Sequence, residues 1–274
     1  MIANHVAEWF GQPVIVDNRP GAGGSIGAEM TVRAEPDDYT LIIVSATYAA
    51  TAAYRPPPYD PVKDIQAIIH LGTTGLLFTT NPSLPVKSIA ELIAYAKANP
   101  GKLSFATVGA GSNVHLALEL FKLMTHTSFV DVPYKGAGPA MTAVVAGEVP
   151  VTAMSIVPSM PHVKSGKVRA LAVSMAKRSS YLPDVPAVNE TVPGYEASHW
   201  YGMWGPKGLP APIVRRWNEA VAKVLQTEEA QTRLKSDGLE DWGGPPERFQ
   251  QIVRHDVEKW RRVIRDAKIR PGSR

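Results

Sequence analysis

Two short loops near the middle of the chain carry the residues best suited to chemistry. One reads VGAGS at 108–112 and the other KGAG at 135–138. Each follows a stretch that reads as a strand (103–107, then 130–134). Each precedes a helix: 113–124 after the first loop, and one opened by Pro139, at a position that favours proline, after the second. Ligands collect at such strand ends in α/β domains. Exposed backbone N–H groups and the positive end of the helix dipole favour an anion there. The chemistry expected is the holding of a small anion by uncharged donors. Lys135 is the single cation within either loop, and a solvent-exposed side chain is its plainer reading.

Catalytic patterns are poorly served. No G-x-S-x-G occurs, and Ser112, within GAGSN, fits a helix N-cap. His115, three positions on, has three open readings: capping the first helical turn, packing beneath the loop, or touching a ligand. The seven histidines show neither H-x-x-x-H nor H-E-x-x-H, and there is no cysteine, so no metal site is expected. VIVDNRPGAGGSIG at 14–27 invites a dinucleotide reading, but its glycines run G-x-G-G-x-x-G. The acidic residue expected about 20 positions later is also missing, since the second strand ends in Ser45, Ala46 and Thr47. No organic cofactor is expected.

The elements around these loops alternate. Residues 1–10 read as a helix with Ile2, Val6, Trp9 and Phe10 on one face. Strands are expected at 13–17 (PVIVD) and 41–44, with a glycine-rich turn at 18–24 and a helix at 25–34 between them. RPPPYDP at 55–61 holds four prolines and excludes helix or inner strand. Two extended segments follow between 65 and 80. Ser88 and Glu91 form an S-x-x-E box that opens a helix stopped by Pro100-Gly101. Beyond the central loops come strands at 149–154 and 168–174, a short helix at 158–166, an irregular proline-rich run at 182–196 and an extended WYGMW at 200–204. Two amphipathic helices close the chain; Ile213, Trp217, Val221, Val224 and Leu225 line the first, and Phe249, Ile252, Val253, Trp260, Val263 and Ile264 the last. This alternation implies a three-layer α/β architecture.

With 274 residues, 45% hydrophobic and 20% charged, the chain can build two modest domains. A net charge of +4 is mild, and no basic stripe interleaved with aromatics suggests nucleic acid. No apolar run reaches a membrane span of roughly 20 residues. The opening MIANHVAEWFGQ lacks the basic start and apolar core of an export signal.

A set of segments in order resembles one family throughout: QPVIVDNRPGAGGSIGAE, PDDYTL, YDPVKD, NPSLPVKSIAELIAYAKANPGKLSFATVGAGSNVHLALELF, VPYKGAGPA, GKVRALAVS, LPDVPAVNE and PGYE. The chain resembles the substrate-binding proteins of tripartite tricarboxylate transporters, the TctC-like or Bug family of periplasmic receptors. The resemblance implies a two-lobed, type II periplasmic-binding-protein fold with αβα lobes. One lobe would be 1–102 plus 201–274 and the other 103–200, with ligand held between them across a double-crossover hinge. It implies a monomeric, non-catalytic periplasmic receptor that passes a small carboxylate (a dicarboxylate, amino acid or aromatic acid) to membrane transporter subunits. Carried over by position, the ligand contacts would be Thr107, Gly109, Gly111, Ser112 and His115, with Tyr134, Lys135, Gly136, Gly138 and Ser155 nearby, and Ser45, Ala46 and Thr47 from the first lobe.

Two departures from the family pattern stand out. Family members begin with a strand and a Pro-Gly-Gly-type loop ahead of the point where this chain starts, so the first strand of the first lobe is expected to be missing. The family's Pro-Asp-Gly-Tyr turn here reads Pro36, Asp37, Asp38, Tyr39, placing a less permissive residue where positive φ is expected. Alternatives to the receptor are an enzyme acting on a small organic acid in the same cleft, or a ligand-sensing module for a signalling partner.

Overall fold

Helix and strand alternate along the chain, as the sequence implies. A computed structural model describes residues 1–19 and 24–270. In chain order the elements are α1 (Ile2–Phe10), α2 (Ser25–Val32), β1 (Ile42–Ser45), α3 (Thr47–Tyr54), β2 (Ile65–Thr74) and β3 (Leu76–Thr80). Then come α4 (Ile89–Ala98), β4 (Ser104–Thr107), α5 (Asn113–Thr125), β5 (Val130–Pro133), α6 (Ala137–Ala146), β6 (Val151–Ser155) and α7 (Ile156–Lys164). The chain closes with β7 (Arg169–Val173), β8 (His199–Pro206), α8 (Ala211–Leu225), α9 (Glu228–Ser236) and α10 (Pro246–Asp266). The glycine-rich turn expected at 18–24 lies largely outside the described residues.

The strands fall into two sheets, ordered β1-β8-β2 and β5-β4-β6-β3-β7. β3 decides where the chain divides. All five of its residues are buried, and it runs antiparallel to both β6 and β7. A strand buried on both faces belongs to the sheet that covers it. By its contacts the chain therefore splits after Thr73, into Met1–Thr73 with Trp200–Arg261 and a second unit of Thr74–His199 with the stretch from Arg262. The boundary expected at 102/103 differs from this: β3 and α4 cluster with the second unit.

In the first unit, α1 lies on α8, where the Phe10 and Trp217 rings meet edge to face at 5.0 Å and the Arg216 guanidinium stands 4.0 Å from the Phe10 centroid. Val6, Ile68, Ile69, Met203, Trp217 and Val221 belong to one apolar cluster. Buried Trp200 donates from Nε1 to Asp256 Oδ2 at 2.6 Å. Asp38 does adopt the left-handed backbone, φ 86°, and its carboxylate accepts a hydrogen bond from Trp217 Nε1. The aspartate thus gains a partner that glycine could not offer.

Residues 13–17 do not form the expected strand. Ile15 and Val16 are 85% and 69% exposed. A short apolar, β-branched run becomes a strand only beside a partner, and among the described residues none pairs with this segment. β1 likewise ends its sheet, bonded among the described residues only to β8, with Ile43 half exposed.

The second unit is built on an aromatic core in which Phe78, Phe105, Phe121 and Tyr195 pack with ring centroids 5.4 to 6.1 Å apart. Tyr195 anchors the irregular run before β8 by donating to Ala117 O at 3.0 Å. The Ser88 box is present in modified form. Ser88 Oγ accepts from Glu91 N–H at 3.2 Å, while Glu91 reaches back to the Lys87 N–H at 2.7 Å.

Candidate ligand-binding site

β4 runs parallel to β5 and to β6, while β3 runs antiparallel to β6 and β7. The C-terminal ends of β4, β5, β6 and β7 therefore meet along one edge of this sheet. Three of them lead directly into helices, β4 into α5, β5 into α6 and β6 into α7. Each helix brings its unpaired N–H groups and positive dipole end to that edge. Thr107, Gly109, Gly111, Ser112, Tyr134, Lys135, Gly136, Gly138 and Ser155 all lie at this end of the second unit.

The first loop is held from both sides. Ser112 is the N-cap of α5, its Oγ accepting from the His115 N–H at 3.1 Å. The His115 ring turns back under the loop, where Nδ1 accepts from the Gly111 N–H at 3.2 Å. Gly111 and Gly109 have φ of 77° and 105°, the left-handed region that β-substituted residues avoid. The Ser112 N–H closes on Gly109 O at 3.2 Å. Of the readings open for His115, packing beneath the loop describes its position.

Below the loop lies a polar network. Thr107 Oγ1 donates to Asp131 Oδ1 at 2.6 Å, and Tyr134 N–H donates to Thr107 O at 2.9 Å. His115 Nε2 stands 3.9 Å from Asp131 Oδ2 and 4.0 Å from Glu119 Oε1, and Glu119 is paired with Lys122 at 2.7 Å. Burial holds the His115 pKa below its ordinary 6.5; Asp131 and Glu119 pull it upward and Lys122 adds to the lowering. Asp131, Glu119 and Lys122 escaped the sequence reading. His115, Glu119 and Lys122 nevertheless recur at i, i+4 and i+7, one face of a helix.

Asn113, first residue of α5, was also missed. It is 5% exposed, its Nδ2 lies 3.4 Å from His199 Nδ1, and its Oδ1 has no protein partner. An orphaned buried acceptor is costly and calls for a donor.

The second loop is more open. α6 begins at Ala137, earlier than Pro139, so Gly138 sits in its first turn and Gly136 is the N-cap. Lys135 is exposed, in keeping with its plainer reading. Ser155 ends β6 and caps α7, its carbonyl accepting from Ser159 Oγ at 2.8 Å. In the first unit Ser45 ends β1, Ala46 is buried and donates its N–H to Trp200 O at 2.8 Å, and Thr47 opens α3. Among the described residues, no group of three or more His, Cys, Asp or Glu side chains is arranged to hold a metal ion, and no helix is long and apolar enough to cross a membrane.

This fold and its strand-end loops match a known family. The family model for the tripartite tricarboxylate transporter family receptor, TctC, covers residues 1–269. The chain belongs to the TctC family. BugT of Bordetella pertussis is 33% identical over 270 residues, 97% of this chain and 83% of its own. A protein in the tcbD-tcbE intergenic region of a Pseudomonas species is 32% identical over 267 residues, 96% of this chain and 80% of its own. Among solved structures, R. palustris Rpa4515 with adipate aligns at a TM-score of 0.82 and 36% identity, covering 99% of this chain and 92% of that one. MatC from Rhodopseudomonas palustris with bound malate aligns at 0.77 and 31%, covering 96% and 92%. This TctC family member thus has the mixed α/β, periplasmic-binding-protein-like fold of its relatives.

Proposed function

We propose that this TctC family member is a periplasmic, non-catalytic receptor that binds a small carboxylate and delivers it to a tripartite tricarboxylate-type transporter. The observation that carries the reading is the convergence of three parallel strand ends, each feeding a helix N-terminus, on one sheet edge lined by glycine and hydroxyl residues. Uncharged donors at helix N-termini suit a carboxylate. Relatives solved with adipate and malate support the same ligand class.

The carboxylate lies against the 108–112 and 134–138 segments of the second unit, with Ser155 beside them. Asn113 Oδ1 takes a donor from the ligand or from a bridging water, which would meet its unfilled demand. The receptor acts as a monomer, without metal or organic cofactor.

Titration calorimetry against mono- and dicarboxylates and acidic amino acids tests the reading. Saturable one-to-one binding without turnover of the ligand is expected. Ser112→Trp should abolish it, while a substitution of the exposed Lys97 on α4 should not. Turnover of a bound acid, or binding indifferent to Ser112→Trp, would overturn the proposal.

A further inference from the structure

His115 is buried on α5, and its ring meets the 108–112 loop on one side and the carboxylates of Asp131 and Glu119 on the other. The Gly111 N–H points at Nδ1, so Nδ1 carries no proton and the ring is neutral with its proton on Nε2. That proton faces Asp131 on β5 and Glu119 on α5, whose charge is shared with Lys122. The ring's own backbone N–H is held by Ser112 Oγ. Loop and ring thus fix each other: Ser112 places the histidine, and the histidine places Gly111.

We propose that His115 is the positioning residue of the 108–112 loop, its neutral imidazole holding Gly111 in the shape that receives a carboxylate, and its protonation releasing that shape. A second proton would go to Nδ1, setting two N–H donors head to head, and the Gly111 bond would break. Burial opposes the added charge most and keeps the His115 pKa below 6.5; Asp131 and Glu119 favour the charge, and Lys122 opposes it. The ligand part of this proposal rests on the receptor reading above; the Gly111 part does not.

Three chains separate the possibilities: the parent, His115→Asn and His115→Leu. An asparagine oxygen can occupy the place of Nδ1 and accept from Gly111, but does not titrate. Leucine fills space without an acceptor. The Gly111 amide is followed by NMR and hydrogen exchange without ligand, and adipate and malate affinities are measured from pH 8 down to 4.5, because protonation of His115 sets in below 6.5. In the parent, Gly111 protection and affinity should fall together on acidification, affinity by about three- to tenfold, the worth of one hydrogen bond. His115→Asn should retain both at every pH and so also corrects for ionisation of the probes. His115→Leu should lose Gly111 protection throughout and bind about three- to tenfold more weakly.

Gly111 protection unchanged in His115→Leu would overturn the proposal. So would weak binding in His115→Asn with Gly111 still protected, which would assign His115 a direct ligand contact. Should neither acid bind any of the three chains, the receptor reading loses its two probes, and the Gly111 series still decides the role of His115.

Discussion

Thr107 Oγ1 donates to Asp131 Oδ1 across 2.6 Å and so ties β4 to β5 at the end where their loops begin. The hydroxyl proton is spent on this bond, so Thr107 serves the loops by fixing the distance between them. Thr107→Val keeps the shape and removes the donor. It should destabilise the protein by about 1–3 kcal/mol, because the acceptor is charged and partly buried. Urea unfolding of the parent and variant measures the difference, and no change would show that water replaces the hydroxyl.

Ser112 and Ser88 cap helices of the same unit through the same kind of bond, Oγ accepting from the N–H three residues on. Each alanine substitution should cost about 1 kcal/mol of stability. Only Ser112→Ala should also weaken carboxylate binding, since only that cap shapes a ligand loop. Equal binding losses in the two variants would point to stability rather than local geometry.

His70 is fully buried on β2, with Nε2 3.0 Å from Thr73 Oγ1. Burial, aided by Arg248, lowers its pKa from 6.5 to about 4. The unfolded chain therefore binds a proton that the folded one refuses. The stabilising contribution is complete above pH 6.5 and is lost as pH falls towards 4, amounting to at most about 3 kcal/mol. His70→Gln should flatten the decline in unfolding free energy across that window, as followed by denaturant titrations at stepwise pH. A slope identical to the parent would place acid sensitivity elsewhere.

Gly202 on β8 faces the buried ring of Phe249, which a Cβ there would overlap. Gly138, in the first turn of α6, has open space around it. Gly202→Ala should therefore destabilise by roughly 1–3 kcal/mol or more through overpacking. Gly138→Ala should be neutral or stabilise by up to about 1 kcal/mol, yet reduce carboxylate affinity if the ligand approaches that backbone closely. Thermal unfolding together with calorimetry separates the two effects.

The sequence disclosed local features well where the deciding interaction is local. The S-x-x-E spacing at Ser88, the strand-loop-helix units around 108–112 and 135–138, and the spacing of Ile213, Trp217 and Val221 each depend on neighbours a few residues away. PVIVD failed because a short apolar run suggests a buried strand without supplying its partner; Ile15 and Val16 lie open to solvent. The division after Thr73 was hidden for a related reason. β2 and β3 are separated by Gly75 alone, and only their pairing, with β8 or with β6 and β7, assigns them to different sheets. α3 and α9 went unread, α3 because its alanines carry little amphipathic contrast, and α9 because it is short and polar. Asp131 was invisible as a site residue since its partners, Thr107 and His115, are 24 and 16 positions away.

The open side of β1 carries a consequence for handling the protein. Its backbone edge is unclaimed among the described residues, and Ile43, Ile15 and Val16 expose large apolar side chains in the same unit. An uncovered strand edge and exposed apolar side chains are each adhesive towards other extended chains. Non-specific association of the working monomer should therefore set in at high protein concentration and be suppressed by Ile43→Lys, leaving the strand-end loops of the second unit untouched. Light scattering across a dilution series would reveal it, and a scattering mass that stays monomeric at every concentration would show the edge to be harmless.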